Sequence, residues 1–146
     1  MKVVYVDSSI VVRYYLPNDP GRAEIVALLN DDNVAVVTST LTRIEASGAL
    51  VRAARSARAD PGDTLARLDQ DFIDGVITLV SADHADVERD ALHIVRMYGI
   101  WALDAIHIAT AQLVLPELAG PGDIGVFASR DKEQADAAQC VGLTVA

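Results

Sequence analysis

The chain reads as an α/β protein, a three-layer α/β/α sandwich around a mainly parallel central sheet. Two observations predict this: short apolar runs recur along the 146 residues with helical stretches between them, and no hairpin signal joins one run to the next. Strands connected through helices pair in parallel, and a parallel sheet needs cover on both faces.

Val3 to Val6 is nearly all apolar, as expected of a strand buried on both sides, and Asp7-Ser8-Ser9 ends it. Ile10, Val11, Tyr14 and Tyr15 then follow a helical period until Pro17-Asn18-Asp19-Pro20-Gly21 breaks the chain, and Ile25, Leu28 and Leu29 mark a second helix. The next strand is Val34 to Val37. A long helix follows from about Thr40 to Arg55, and Asp60-Pro61-Gly62-Asp63 has the N-cap and first-turn chemistry of another. Val76 to Val80 reads as a third strand. Helices are expected at Asp83 to Tyr98 and Leu103 to Leu115, then a Pro/Gly stretch, a strand at Gly125 to Ala128, a helix at Lys132 to Ala138 and a last strand at Leu143 to Val145. No linker, repeat or low-complexity tract divides the chain, so residues 1–146 are expected to form one domain.

Apolar residues make up 51% of the chain and aromatic residues 5%, which excludes disorder and implies a core of Val, Ile, Leu and Ala. The longest apolar run, Ile25 to Leu29, is too short for a membrane span, and Met1 leads straight into a strand without a basic region or cleavage site. Cys140 is the only cysteine and can form no internal disulfide. The expectation is a soluble protein of the cytoplasm that engages no membrane.

Net charge is −9, which taken alone disfavours a nucleic-acid partner. Its distribution changes that argument. Residues 1 to 58 carry seven basic and six acidic side chains, net +1, whereas residues 59 to 146 carry five and fifteen, net −10. Arg52, Arg55 and Arg58 recur every three residues, so on a helix they form one tilted stripe able to face phosphates, or an ordinary solvated face.

Four acids stand where an apolar element ends or begins: Asp7, Glu45, Asp104 and Asp131. Ligands of open parallel sheets bind outside the carboxyl ends of the strands, where Asp7 and Asp131 lie, and helix openings carrying Glu45 and Asp104 can face the same edge. Clustered carboxylates repel and need a cation or a proton, and hard oxygen donors suit Mg²⁺ or Mn²⁺ better than zinc. Each acid also has a purely structural use. Asp7 and Asp131 suit a helix cap and a turn, Thr42-Arg43-Ile44-Glu45 fits a capping box, and Asp104 suits a helix dipole. Four independent caps need not coincide at one crevice, and the joint arrangement favours a shared site.

These residues resemble the PIN-domain nucleases, in particular the VapC-type toxin branch. Asp7-Ser8-Ser9 after its apolar strand is similar to the family's opening motif, Arg43-Ile44-Glu45 to the second, Leu103-Asp104-Ala105-Ile106-His107-Ile108-Ala109-Thr110-Ala111 to the third, and Ser129-Arg130-Asp131 to the fourth. The resemblance implies a Mg²⁺- or Mn²⁺-dependent endoribonuclease with Asp7, Glu45, Asp104 and Asp131 as catalytic and metal-binding residues, an RNA substrate, a homodimer and a cognate antitoxin. The chain departs from the pattern between Gln112 and Gly125, where an inserted stretch brings its own acid, Asp123, a second candidate for the fourth carboxylate.

Ser8, Ser9 and Ser129 are candidates to orient the acids, and Arg52, Arg55 and Arg58 to contact RNA. His107 follows Asp104 by three residues on the same helix face and reads as a satisfied core histidine that could reach the site. The histidines and Cys140 lack zinc-site spacing, and no phosphate-binding glycine loop is present. Two alternatives stay open: a catalytically inactive domain of the same fold that binds protein, and a Mg²⁺-dependent phosphoryl-transfer or phosphatase-like enzyme. The second is disfavoured because no second Asp follows Asp7 by two residues.

Overall fold

The computed structural model describes residues 1–146. In chain order the elements are β1 (Lys2–Val6), α1 (Ser8–Tyr15), α2 (Arg22–Leu29), β2 (Val34–Thr38), α3 (Thr40–Ser56), α4 (Gly62–Ile73), β3 (Thr78–Leu79), α5 (His84–Tyr98), α6 (Ala102–Leu118), β4 (Ile124–Ala128) and α7 (Lys132–Cys140). The sheet has the order β3-β2-β1-β4 and every pairing is parallel. Because side chains alternate along a strand, β1 feeds two cores. Val3 and Tyr5 pack with Phe127 beneath α5, α6 and α7, whereas Val4 and Val6 pack with Val126 and Ala128 beneath α1 to α4. This is the expected three-layer sandwich. No helix is long and apolar enough to cross a membrane.

Two expected strands are reduced. Val76 to Val80 becomes Thr78–Leu79, because Gly75 has a positive φ of 75° and the amides of Val76 and Ile77 bond back to the Asp71 carbonyl at the end of α4. Leu143 to Val145 becomes a single parallel bridge from Val145 to Phe127, held by Phe127 N to Thr144 O at 2.8 Å and Ala146 N to Phe127 O at 3.0 Å. In the other direction, α6 runs past Leu115 to Leu118. Pro116 sits in its last turn, where the missing N–H costs only one ladder bond.

The topology positions the site. From β1 the chain moves to β2 and then β3, and it returns to the opposite side of β1 only with β4. The order therefore switches between β1 and β4, and a crevice opens there at the carboxyl ends of the strands.

Candidate active site

Asp7, Glu45, Asp104 and Asp131 line one crevice of about 420 Å³, together with Ser8, Ser9, Arg13, Asp19, Arg52 and Gln134. Four elements deliver the acids: the end of β1, the second turn of α3, the first turn of α6 and the turn after β4.

Asp7 is the most enclosed, at 3% exposure. Its Oδ1 accepts from the Ser9 hydroxyl at 2.6 Å and from the Ile10 amide at 3.2 Å, and its Oδ2 accepts from the Ser129 hydroxyl at 2.8 Å. The Ile10 bond makes Asp7 the N-cap of α1, so its structural and site roles coincide. Burial pushes its pKa above the ordinary carboxylate value, while the Ser9 and Ser129 hydroxyls act in the opposite direction. Asp104 is half-exposed, and its pKa is also raised. Loss of solvent is the main cause and the neighbouring charge of Asp131 the next, with Asp7 and Glu45 adding to it.

Glu45 does not close a capping box. Helix α3 begins at Thr40 with Ser39 as its cap, which leaves Glu45 beyond capping reach, and its Oε1 instead lies 2.6 Å from His107 Nε2. His107 is buried, as a core histidine should be, yet it is bonded directly to a crevice acid. Asp131 caps α7 by accepting from the Gln134 amide at 3.1 Å and still lines the crevice. Asp123 is elsewhere. It pairs with the Met1 ammonium at 3.0 Å and accepts from the Gly120 amide, at the amino end of the sheet. The structure therefore excludes Asp123 from this crevice.

Of the serines, Ser9 and Ser129 hold Asp7, and the Ser9 oxygen also accepts from the Arg130 amide at 2.9 Å. Ser8 lines the crevice and makes no side-chain hydrogen bond to the acids. Arg52 also lines it. Its Nη1 folds back over Gly48 so closely that a Cβ there would come within 3.1 Å. Arg55 is exposed in the last turn of α3. Arg58 corrects the expected stripe. The helix ends at Ser56, and Arg58 takes a positive φ of 53°, so its side chain leaves the line of the other two. Helix position alone could not reveal Gln134 or Arg13. Gln134, fully buried, donates to the Asp104 carbonyl at 3.3 Å, and Arg13 enters the crevice held by Asp19 at 3.1 Å.

The four carboxylates are hard oxygen donors, the chemistry that suits a divalent cation such as Mg²⁺ or Mn²⁺. No three of these side chains stand close enough to enclose an ion as they are placed.

The family model of the PIN domain matches residues 4–138. No curated protein matches the sequence. Among solved structures, VapBC-1 from nontypeable Haemophilus influenzae is similar with a TM-score of 0.63 at 12% identity, over 99% of this chain and 96% of that one. FitAcB from Neisseria gonorrhoeae gives 0.59 at 18% identity, over 97% and 95%, and PAE2754 from Pyrobaculum aerophilum gives 0.64 at 19%, over 99% and 92%. At these identities the likeness is one of fold.

Proposed function

The chain belongs to the PIN-domain family, and from that premise we propose that it is a metal-dependent endoribonuclease, the toxin of a toxin–antitoxin pair. The observation that supports this reading is the crevice itself, in which Asp7, Glu45, Asp104 and Asp131 meet from four separate elements of the fold. Four unrelated caps need not meet in one crevice. PIN domains are generally nucleases, and a crevice of hard oxygen donors fits that chemistry.

Asp7, Glu45, Asp104 and Asp131 would hold a Mg²⁺ or Mn²⁺ ion, which when bound would supply charge neutralisation at the scissile phosphate and a lowered pKa for the attacking water. The chain's own residues do the rest. Ser9 and Ser129 clamp both oxygens of Asp7, so its carboxylate cannot turn away. Arg13 and Arg52 place positive charge at the rim of an otherwise anionic crevice, where the phosphates on either side of the scissile bond would bind. Water attack at phosphorus with loss of the 3′ oxygen leaves 5′-phosphate and 3′-hydroxyl ends. The likeness to VapBC-1 and FitAcB supports an antitoxin partner, and the resemblance to VapC-type toxins supports a homodimer. A basic side chain of the antitoxin, entering the crevice, would inhibit in competition with the cation.

The test is to incubate the purified protein with total cellular RNA, with and without Mg²⁺, and to sequence the new 5′ ends. Mg²⁺-dependent cuts at a restricted set of sites are expected. Intact RNA at stoichiometric protein would favour the inactive, protein-binding alternative.

A further inference from the structure

Glu45 is gripped by a buried chain of two side chains that belongs to neither its own helix nor its own layer. Its Oε1 lies 2.6 Å from His107 Nε2, and on the far side of the ring His107 Nδ1 lies 3.0 Å from the Tyr5 hydroxyl. Tyr5 and His107 are 0% and 1% exposed, so neither can turn to water for a partner. A neutral imidazole satisfies both contacts in one tautomer, with Nε2–H donating to the carboxylate and Nδ1 accepting the phenol proton. The Tyr5 ring is held in turn by stacking on Phe127, 5.8 Å away and 12° from parallel. Near the Tyr5 oxygen the hydroxyls of Ser39 and Thr42 are buried without a hydrogen-bond partner.

The position of this chain in the fold gives it a consequence. Tyr5 is two residues before Asp7 on β1, His107 is three residues after Asp104 on α6, and Glu45 comes from α3 in the opposite layer. The two bonds thus tie the carriers of three crevice acids together, and they offer Glu45 a hydrogen bond against the repulsion of its neighbours. We propose that Tyr5 and His107 are positioning residues, Tyr5 setting the tautomer of His107 and His107 fixing one oxygen of Glu45 so that the other is presented to a divalent cation. This rests on reading the crevice as a metal site. Groups that orient metal ligands in this way typically matter ten- to a hundredfold in affinity.

The test combines nitrogen-correlated NMR of the His107 ring with calorimetric titration of Mn²⁺ into wild type, Tyr5→Phe, His107→Leu and His107→Gln. In wild type, Nε2 should carry the proton and Nδ1 should not. Tyr5→Phe removes one oxygen and keeps the stacked ring. It should mix the His107 tautomers and weaken Mn²⁺ binding about tenfold, and His107→Leu should weaken it about a hundredfold. His107→Gln, which keeps an N–H near Nε2, should recover part of the loss. A wild-type His107 carrying its proton on Nδ1, or a Tyr5→Phe protein with wild-type Mn²⁺ affinity, overturns the proposal, even where His107→Leu fails to fold. Absence of any Mn²⁺ binding by wild type removes the metal site and this inference with it, whereas equal affinities in wild type and Tyr5→Phe remove only the positioning role.

Discussion

The Ser129 hydroxyl lies 2.8 Å from Asp7 Oδ2 and also 2.8 Å from Gln134 Oε1, with a single proton to offer two acceptors. Its oxygen meanwhile accepts from the Asp131 amide at 3.0 Å, so one side chain links the first strand, the last strand and the cap of α7. Ser129→Ala therefore strands a buried carboxylate oxygen and a backbone amide together. Unpartnered groups of this kind cost about 1–3 kcal/mol, and loss of the donor pushes the Asp7 pKa further up. Denaturant melts should show that loss, and Mn²⁺ titration near neutral pH should show weaker binding. A variant as stable and as tightly binding as wild type would mean that Ser129 merely fills space.

The raised pKa values of Asp7 and Asp104 fix the sign of a pH effect in the metal-free protein. A carboxyl whose folded pKa lies above its unfolded value binds more protons when folded. Stability therefore falls as pH rises through the window between the ordinary value of 3.8 and the raised one, and recovers on acidification through that window. Thermal melts in chelator should show higher Tm on the acid side of neutrality, until other carboxylates protonate. Asp104→Asn should flatten the profile and abolish cleavage. Asp7→Asn should do the same and keep the α1 cap, since Asn caps as well as Asp. Glu45→Gln should abolish cleavage too. Wild-type cleavage in all three variants would end the catalytic assignment.

The main frame was legible in the sequence because apolar runs and helix breakers are local signals. Strands β1, β2 and β4 and the long helices fall within a few residues of expectation. Thr78–Leu79 and the Val145 bridge fell short because strand length depends on where a neighbour's hydrogen bonds run out, which no local pattern records. Asp7, Asp104 and Asp131 were legible as element ends, and the sheet order explains why they meet Glu45, which stands in the second turn of α3. Tyr5, Gln134 and Arg13 were not. Tyr5 reads as one more core aromatic, and only the partner 102 residues away gives its hydroxyl a use. Glu45 fitted a capping box by spacing, but the true cap lies at Ser39, three residues earlier than that reading requires.

Asp131 and Asp123 can be separated by matched variants. Asp131→Asn keeps an acceptor for the Gln134 amide, so stability should change little while cleavage falls, because a negative charge leaves the crevice. Asp123→Asn loses an exposed pair with Met1 at the other end of the sheet and should cleave like wild type. Kinetics of the two variants on the same RNA settle the comparison, and the reverse pattern would exchange the assignments.

The basic residues of α3 should carry a measurable part of RNA binding, though not as three equal contacts. Arg52 lines the crevice and Arg55 lies one turn further along the same helix, whereas Arg58 has left it. A strand entering beside Glu45 would meet Arg52 first. If Arg52 and Arg55 each neutralise one phosphate of a single strand, the double Ala variant should lower the salt slope of binding by about 1.4, at ~0.7 per contact. Arg58→Ala should leave the slope where it was. The measurement is affinity for a single-stranded RNA across a salt series, using an Asp104→Asn background so that the RNA stays whole. A slope that moves with Arg58 and not with Arg52 would direct the RNA across the α3–α4 turn, away from the path past Glu45.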